Sequence, residues 1–216
     1  MSGGFDPVSL AVTLALLALL PTLAVVCTSF LKISIVMSLL RNALGVQQIP
    51  PNLALYGIAL LMSAYIMAPV GQTVYEQVAA VPQASRSIES TLNAMVQGAE
   101  PLRDFLHKHS AREHRDFFVQ TAREMWQADM AARVRERDFM VLLPSFMLTE
   151  MTAAFKIGFL LFLPFVVIDL IVSNILLAMG MMMVSPVMIS MPLKLFLFVM
   201  LDGWTRLIRG LILTYA

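Results

Sequence analysis

The side chains able to do chemistry fall into three groups, and their surroundings limit what that chemistry is. Met179, Met181, Met182 and Met183 flank Gly180 and run into Val184, Ser185 and Pro186. Thioether side chains are unbranched and soft, so a run of them suits a surface that seals and yet yields, where Leu or Ile would build a stiffer wall. Met also fills ordinary apolar cores, and 17 of them in 216 residues must fall together somewhere. A second group, Lys32, Lys156, Asp169, Lys194 and Asp202, stands in or beside apolar segments. Each charge is costly against lipid and is expected to face protein or a water-filled lumen. Lys156 and Asp169 are candidates for inter-subunit polar pairs, with one another or with Lys194 and Asp202; alternatively these charges line a wet lumen. His107, His109 and His114 form the third group, and without a carboxylate-and-His pattern at zinc spacing they read as a solvated helical surface.

Covalent and redox chemistry find no support. There is no P-loop, nucleophile elbow, HExxH or dinucleotide fingerprint. The acids and histidines of the polar region are not arranged to push one another's pKa values apart. The chain is read as a non-enzyme without cofactor or metal, and what remains is passage or scaffolding with a soft constriction at Met181, Met182 and Met183.

At 59% hydrophobic and 13% charged residues, with mean hydropathy +0.80, the sequence is far more apolar than a soluble domain. It reads as a membrane or membrane-associated protein. A net charge of +1, with basic residues interleaved among acids, gives no footprint for nucleic acid. One cysteine, Cys27, permits no internal disulfide.

Three regions follow in order. In residues 1–70, the uncharged run from Val8 to Leu31 is long enough to cross a bilayer. No Lys or Arg precedes it and it outruns a signal core, so it is expected to be retained. Gly45, Pro50 and Pro51 break the chain before a second apolar run from Leu53 to Val70, which makes a helical hairpin. Lys32 and Arg41 near the linker place that end in the cytoplasm and the amino terminus outside. Residues 71–139 are the water-facing part: 9 of the 15 Lys/Arg and 10 of the 14 Asp/Glu lie between Glu76 and Asp138. Ile88, Leu92, Met95 and Val96 recur there at helical spacing, and Ser110 with Glu113 has the form of a capping box. Phe117, Phe118, Thr121, Met125 and Trp126 are expected to line one helix face. In residues 140–216 Pro164 and Asp169 interrupt a long apolar stretch, and the segment between Lys194 and Asp202 is too short for a comfortable lone span. Charges and prolines in apolar helices point to an all-α protein whose helices pack against other copies or related subunits, as a ring. The competing arrangement is a monomeric four-helix bundle with a polar interior.

The motifs in these regions resemble one family. Pro144-Ser145-Phe146-Met147-Leu148-Thr149-Glu150, followed by Phe155, Lys156, Gly158 and Phe159, is similar to the first signature of the FliP/SctR family. Met191, Pro192, Lys194 and Phe196, followed by Asp202, Gly203 and Trp204, is similar to the second. Leu163-Pro164-Phe165, Ile168-Asp169-Leu170 and the methionine run lie between them in the family's order. Arg41, Asn42, Gly45, Gln48, Pro50, Pro51 and Asn52 match its amino-terminal hairpin.

The resemblance implies a core subunit of the type III secretion export apparatus in a bacterial inner membrane, with the central domain periplasmic. It implies a homo-pentamer that combines with FliQ/SctS-type and FliR/SctT-type subunits into a portal for unfolded substrates in transit. It also implies that Met181, Met182 and Met183 form a gasket around the pore. The flagellar branch usually carries a cleavable signal peptide, so the injectisome branch (SctR, also called YscR or HrcR) is the closer match. The contrasting function is a small polytopic transporter with Asp169 as an ion or proton relay.

Overall fold

A computed structural model describes residues 18, 22, 25–46, 49–79 and 98–216, and every regular element among them is helical. Most of the run from Val8 to Leu31 lies outside the described residues, as do Gln48 and the Ile88, Leu92, Met95 and Val96 pattern.

Helix α1 (Phe30–Leu44) stops where Gly45 adopts φ +77° and its N–H reaches the Asn42 carbonyl at 3.1 Å. This left-handed exit is one that a side chain would resist. Helix α2 (Asn52–Ala79) follows Pro50 and Pro51. Arg41 clamps the turn by donating to the Pro50 carbonyl at 3.3 Å and to Asn52 Oδ1 at 2.6 Å. At the other end of the hairpin Ser63 and Thr28 share a 3.0 Å hydroxyl hydrogen bond.

The polar region holds α3 (Glu100–His109), α4 (Arg112–Met125) and the short α5 (Ala128–Ala131). The capping box does not form. Ala111 is the N-cap of α4, and its N–H is satisfied by Thr149 Oγ1 at 2.9 Å, reached across from the long helix that follows. Ser110 instead accepts from the buried Arg115, whose guanidinium also bonds the His107 and Ser110 carbonyls and Glu136. The inward face of α4 is therefore Arg115, Phe118, Val119 and Ala122, while Phe117 and Met125 of the expected stripe are exposed.

Helix α6 (Phe139–Ala178) runs unbroken for 40 residues, through Pro144 and Pro164 and past Asp169. Pro164 and Asp169 interrupt the apolar run in the sequence but not the helix. In apolar surroundings the backbone has no water to turn to, so continuing the helix leaves fewer orphan groups than ending it. Asp169 is tolerated because it is paired, as described below. At ~1.5 Å per residue α6 is about 60 Å long, twice the ~30 Å hydrocarbon core.

The chain returns through α7 (Pro186–Met200) and α8 (Gly203–Leu213), bent by 64° at Leu201 and Asp202. Asp202 holds φ +53°, a conformation that Asp tolerates better than most side chains. Gly203 follows because a Cβ there would collide with the Phe198 ring.

The centre of the bundle is α1. Its Ile33, Val36, Met37 and Leu40 are buried against Leu55 and Ala59 of α2, Ala154 and Phe165 of α6, and Phe198 and Leu211 of the returning pair. Gly158 lets α6 approach closely, since a Cβ at that position would run into the Leu39 side chain. By length and apolarity α2 and α6 could each cross a membrane, and the bent pair makes up to three such spans among the described residues.

Gly158→Val should lower unfolding stability in detergent by about 1–3 kcal/mol through overpacking. Gly57→Ala, which meets no atom within 4 Å, should leave it unchanged or raise it slightly. Chemical-denaturation midpoints of the two variants check the contrast.

Candidate functional site

The methionine run forms the turn between α6 and α7. Met181 N–H reaches the Leu176 carbonyl at 2.9 Å and Gly180 N–H the Leu177 carbonyl at 3.0 Å, with Gly180 at φ +74°. This pair of bonds is a Schellman ending, and it needs the left-handed residue that glycine supplies. The consequence is a tight reversal at the end of the bundle farthest from α3 and α4. Met183 is fully exposed and Met182 is 81% exposed, while Met181 is partly covered. Thioethers with nothing of their own chain around them present a deformable apolar tip.

Just behind this tip lies the first of two internal ion pairs. Lys194 Nζ, on α7, donates to Asp169 Oδ2 at 2.6 Å and to the Ala43 carbonyl at 3.2 Å. Ser190 Oγ donates to Asp169 Oδ1 at 2.6 Å. Lys194 is buried, whereas the Asp169 side chain keeps about a third of its surface. Two of the sequence-derived charges thus meet within one chain, joining α1, α6 and α7. Lys156 and Asp202 do not join them, and both are exposed. Thr205 Oγ1 lies 3.1 Å from Asp202 Oδ1.

The second pair went unrecognised in the sequence. Lys32 Nζ lies 3.2 Å from Glu150 Oε1, with side-chain exposures of 5% and 3%. Tyr215 O–H donates to Glu150 Oε2, and its ring sits 3.7 Å beneath the Lys32 ammonium. His109, at the end of α3, packs on Tyr215 and Phe105 with centroid separations of 5.1 and 4.7 Å. Burial, with Lys108 and Lys32 adding to it, lowers the His109 pKa to about 4. The available signals were an acid, Glu150, within the apolar α6 and a base, Lys32, at the start of α1. Their separation in sequence hid the match, and Tyr215 sits outside both motifs. The other histidines are locally engaged: His107 lies 3.6 Å from Glu136, and His114 Nδ1 is 2.7 Å from Thr149. Arg115 holds the Glu136 carboxyl below its usual range by hydrogen bonding. Among the described residues no three His, Cys, Asp or Glu side chains come together as metal ligands would.

The remaining motif residues serve packing or face outward. Arg41, Asn52 and Gly45 shape the α1–α2 turn, with Asn42 exposed beside it. Pro144 and Pro192 lie inside α6 and α7. Phe155 and Phe159 project from α6 at 56% and 64% exposure, with Lys156 between them. Trp204 packs edge-on against Phe198 at 5.2 Å. Large apolar side chains are exposed along most of α2, α6 and α7. Contiguous apolar surface on this scale marks contact with membrane or protein.

Comparison with known proteins gives one answer over nearly the whole chain. The pattern defining the FliP family matches residues 13–211. The Yop proteins translocation protein R of Yersinia pestis is 51% identical over 211 residues, covering 98% of this chain and 97% of that protein. The harpin secretion protein HrcR of Erwinia amylovora is 45% identical, with 98% and 97% covered. The virulence protein YscR of Salmonella typhimurium is 42% identical over 216 residues, with 98% of each covered.

Glu150→Ala should destabilise the fold by about 3–5 kcal/mol, because it strands Lys32 in an apolar interior. Adding Lys32→Met should recover much of that loss, as measured by denaturation in detergent. A second test uses pH. His109 is neutral in the fold down to about pH 4, whereas an ordinary unfolded histidine protonates near 6.5. The unfolded chain then binds more protons between these values, so stability should fall as pH drops from about 6.5 toward 4. His109→Gln should flatten that part of the melting-temperature profile.

Proposed function

The chain belongs to the FliP family, and on that premise we propose that it is a core subunit of the type III protein secretion export apparatus, of the injectisome branch. Its relatives are named for translocation, secretion and virulence. The observation that carries the reading is the mismatch between a 40-residue apolar helix and a bilayer. A helix about 60 Å long at ~1.5 Å per residue buries its exposed faces most simply against other subunits of a tall assembly.

In this reading copies of the chain form a homo-pentamer and join FliQ/SctS-type and FliR/SctT-type subunits in the inner membrane, with α3 to α5 on the periplasmic side. Unfolded substrate proteins pass along the common axis. Rotational symmetry turns one loop into a ring, so Met181, Met182 and Met183 recur once per copy around the passage. Such a ring closes on itself by dispersion contacts and repacks around a moving chain without demanding a sequence. Of the four charges singled out for pairing, Lys156 on α6 and Asp202 at the bend between α7 and α8 are exposed and remain for partners on other subunits. The Asp169 carboxylate, held by Lys194 and Ser190, is poorly placed as the free relay that a small transporter would require.

Replacing Met181, Met182 and Met183 together by Ala should leave the multimer intact and raise its ion conductance in planar bilayers. Unchanged conductance with unchanged secretion would remove the gasket. Copurification of the full chain with coexpressed small hydrophobic partner subunits, as a detergent-stable multimer, checks the assembly.

A further inference from the structure

Helix α6 presents two unlike faces at one height. On one side Phe155 and Phe159 stand out, with Leu148, Met151 and Lys156 among them. On the other, Ile157, Leu160, Leu161 and Pro164 wall an almost wholly apolar groove of about 480 Å³ that α7 and α8 complete. At about 100° per residue the two sets of α6 positions centre roughly 160° apart, so ridge and groove point in opposite directions. Gly210 opens onto the groove, and a Cβ there would meet no atom within 4 Å. Glycine inside a helix is destabilising relative to Ala, and the chain's own packing does not require one at this position.

Charge follows the same division. Lys156 is exposed on the ridge, and Asp202 is exposed at the groove's mouth, between Leu201 and Gly203 that line it. Neither forms an ion pair among the described residues. Thr205 takes Oδ1 of Asp202, which leaves the second carboxylate oxygen to receive another donor. Heights agree as well. Lys194 meets Asp169 and Tyr215 meets Glu150, so the chain from 194 to 215 descends beside α6 from the level of 169 to that of 150. Lys156 and Asp202 both fall between these marks. Arg206, one turn after Asp202, edges the same groove, while Arg209 lies on the other flank of α8 with Trp204 and Tyr65.

We propose that the groove takes the Phe155 and Phe159 ridge of a second copy of this chain, with Lys156 of one copy on Asp202 of the next. This contact rests on the export-subunit reading above and names the surfaces that build its ring. Because the two faces point apart, the contact runs head to tail, and such contacts generate rings or helical arrays where a two-fold contact stops at a pair. Equal height lets rotation about an axis along α6 bring ridge to groove. Charge selects the occupant: lipid or an apolar helix would cover Lys156 and Asp202 without pairing them, which is costly in apolar surroundings. Arg206 then lies over an inserted phenylalanine ring, where a guanidinium is attracted to the aromatic face.

The test uses the full chain with Cys27→Ala, in native membranes beside its coexpressed partner subunits. Thr152→Cys on the ridge face and Thr214→Cys in the groove lie on opposite sides of one copy. A short bismaleimide, which relaxes the close approach that a disulfide demands, should join them between copies into a ladder that climbs past the dimer. Either cysteine alone should give no product. Gly210→Leu fills the groove and should abolish the ladder while leaving the denaturation midpoint in detergent unchanged or raised. Lys156→Met alone should weaken association on dilution by about thirtyfold, as should Asp202→Asn, in which Asn tolerates the left-handed backbone. The two together should recover most of that loss. Products that stop at the dimer, or a ladder that survives Gly210→Leu, overturn the proposal. No ladder from a chain that still sizes as a multimer overturns it too and gives the groove to another subunit. A chain that stays monomeric beside its partners overturns the export-subunit reading itself, and this contact with it.

Discussion

The fold depends on one buried polar knot. Lys32 and Glu150 lie 118 residues apart in sequence and meet inside an apolar bundle, where either charge alone is strongly destabilising. Their pairing fixes the register of α1 against α6, and Tyr215 adds the carboxyl-terminal end of the chain to the same point. His109 brings in the polar region by stacking on Tyr215. One cluster therefore determines how α1, the 40-residue α6, the carboxyl-terminal end and the water-facing elements sit together. Apolar packing alone slides at little cost, whereas a buried ion pair has one register in which it is satisfied.

At the opposite end Lys194 does the same with Asp169, Ser190 and the Ala43 carbonyl. The two pairs bracket α1 and α6 like pins. Between them Gly158 allows the close approach that seals the core. Rigidity of this kind suits a part that must hold a soft tip in place. The methionine turn lies beyond the second pin, closed by a glycine ending that determines the position of the backbone and leaves the side chains free. The apolar faces left uncovered on α2, α6 and α7 then have one physical use, which is contact with other chains and with lipid.

Much of this was legible in the sequence for identifiable reasons. Composition and long apolar runs determine the helical class, and Gly45, Pro50 and Pro51 mark the turn between α1 and α2. The methionine run announces itself by its density. Asp169 and Lys194 could be singled out as charges needing partners, but sequence spacing does not reveal that they would find each other within one chain. The Lys32–Glu150 pair was harder still, because no local pattern links residues on helices that far apart. Pro164 and Asp169 interrupt the apolar run in the sequence, yet α6 passes through both: breaker rules are calibrated on helices that can hand their backbone to water, and here that option is missing. The capping box at Ser110 failed because Ser110 closes the preceding helix, its N–H on the Leu106 carbonyl and its hydroxyl between the His107 carbonyl and Arg115.

The central claim is that these helices pack around a shared axis with the methionine turn at its throat. Disulfide trapping measures this most directly: Met183→Cys, in a chain whose native cysteine is removed by Cys27→Ala, is oxidised in native membranes. Convergence of the turns on an axis predicts covalent dimers of the full-length chain through position 183, blocked by prior alkylation. A position 183 thiol that forms no dimer, and reacts instead with a membrane-dissolved maleimide that water-soluble reagents do not outcompete, would place the turn in lipid and contradict the account.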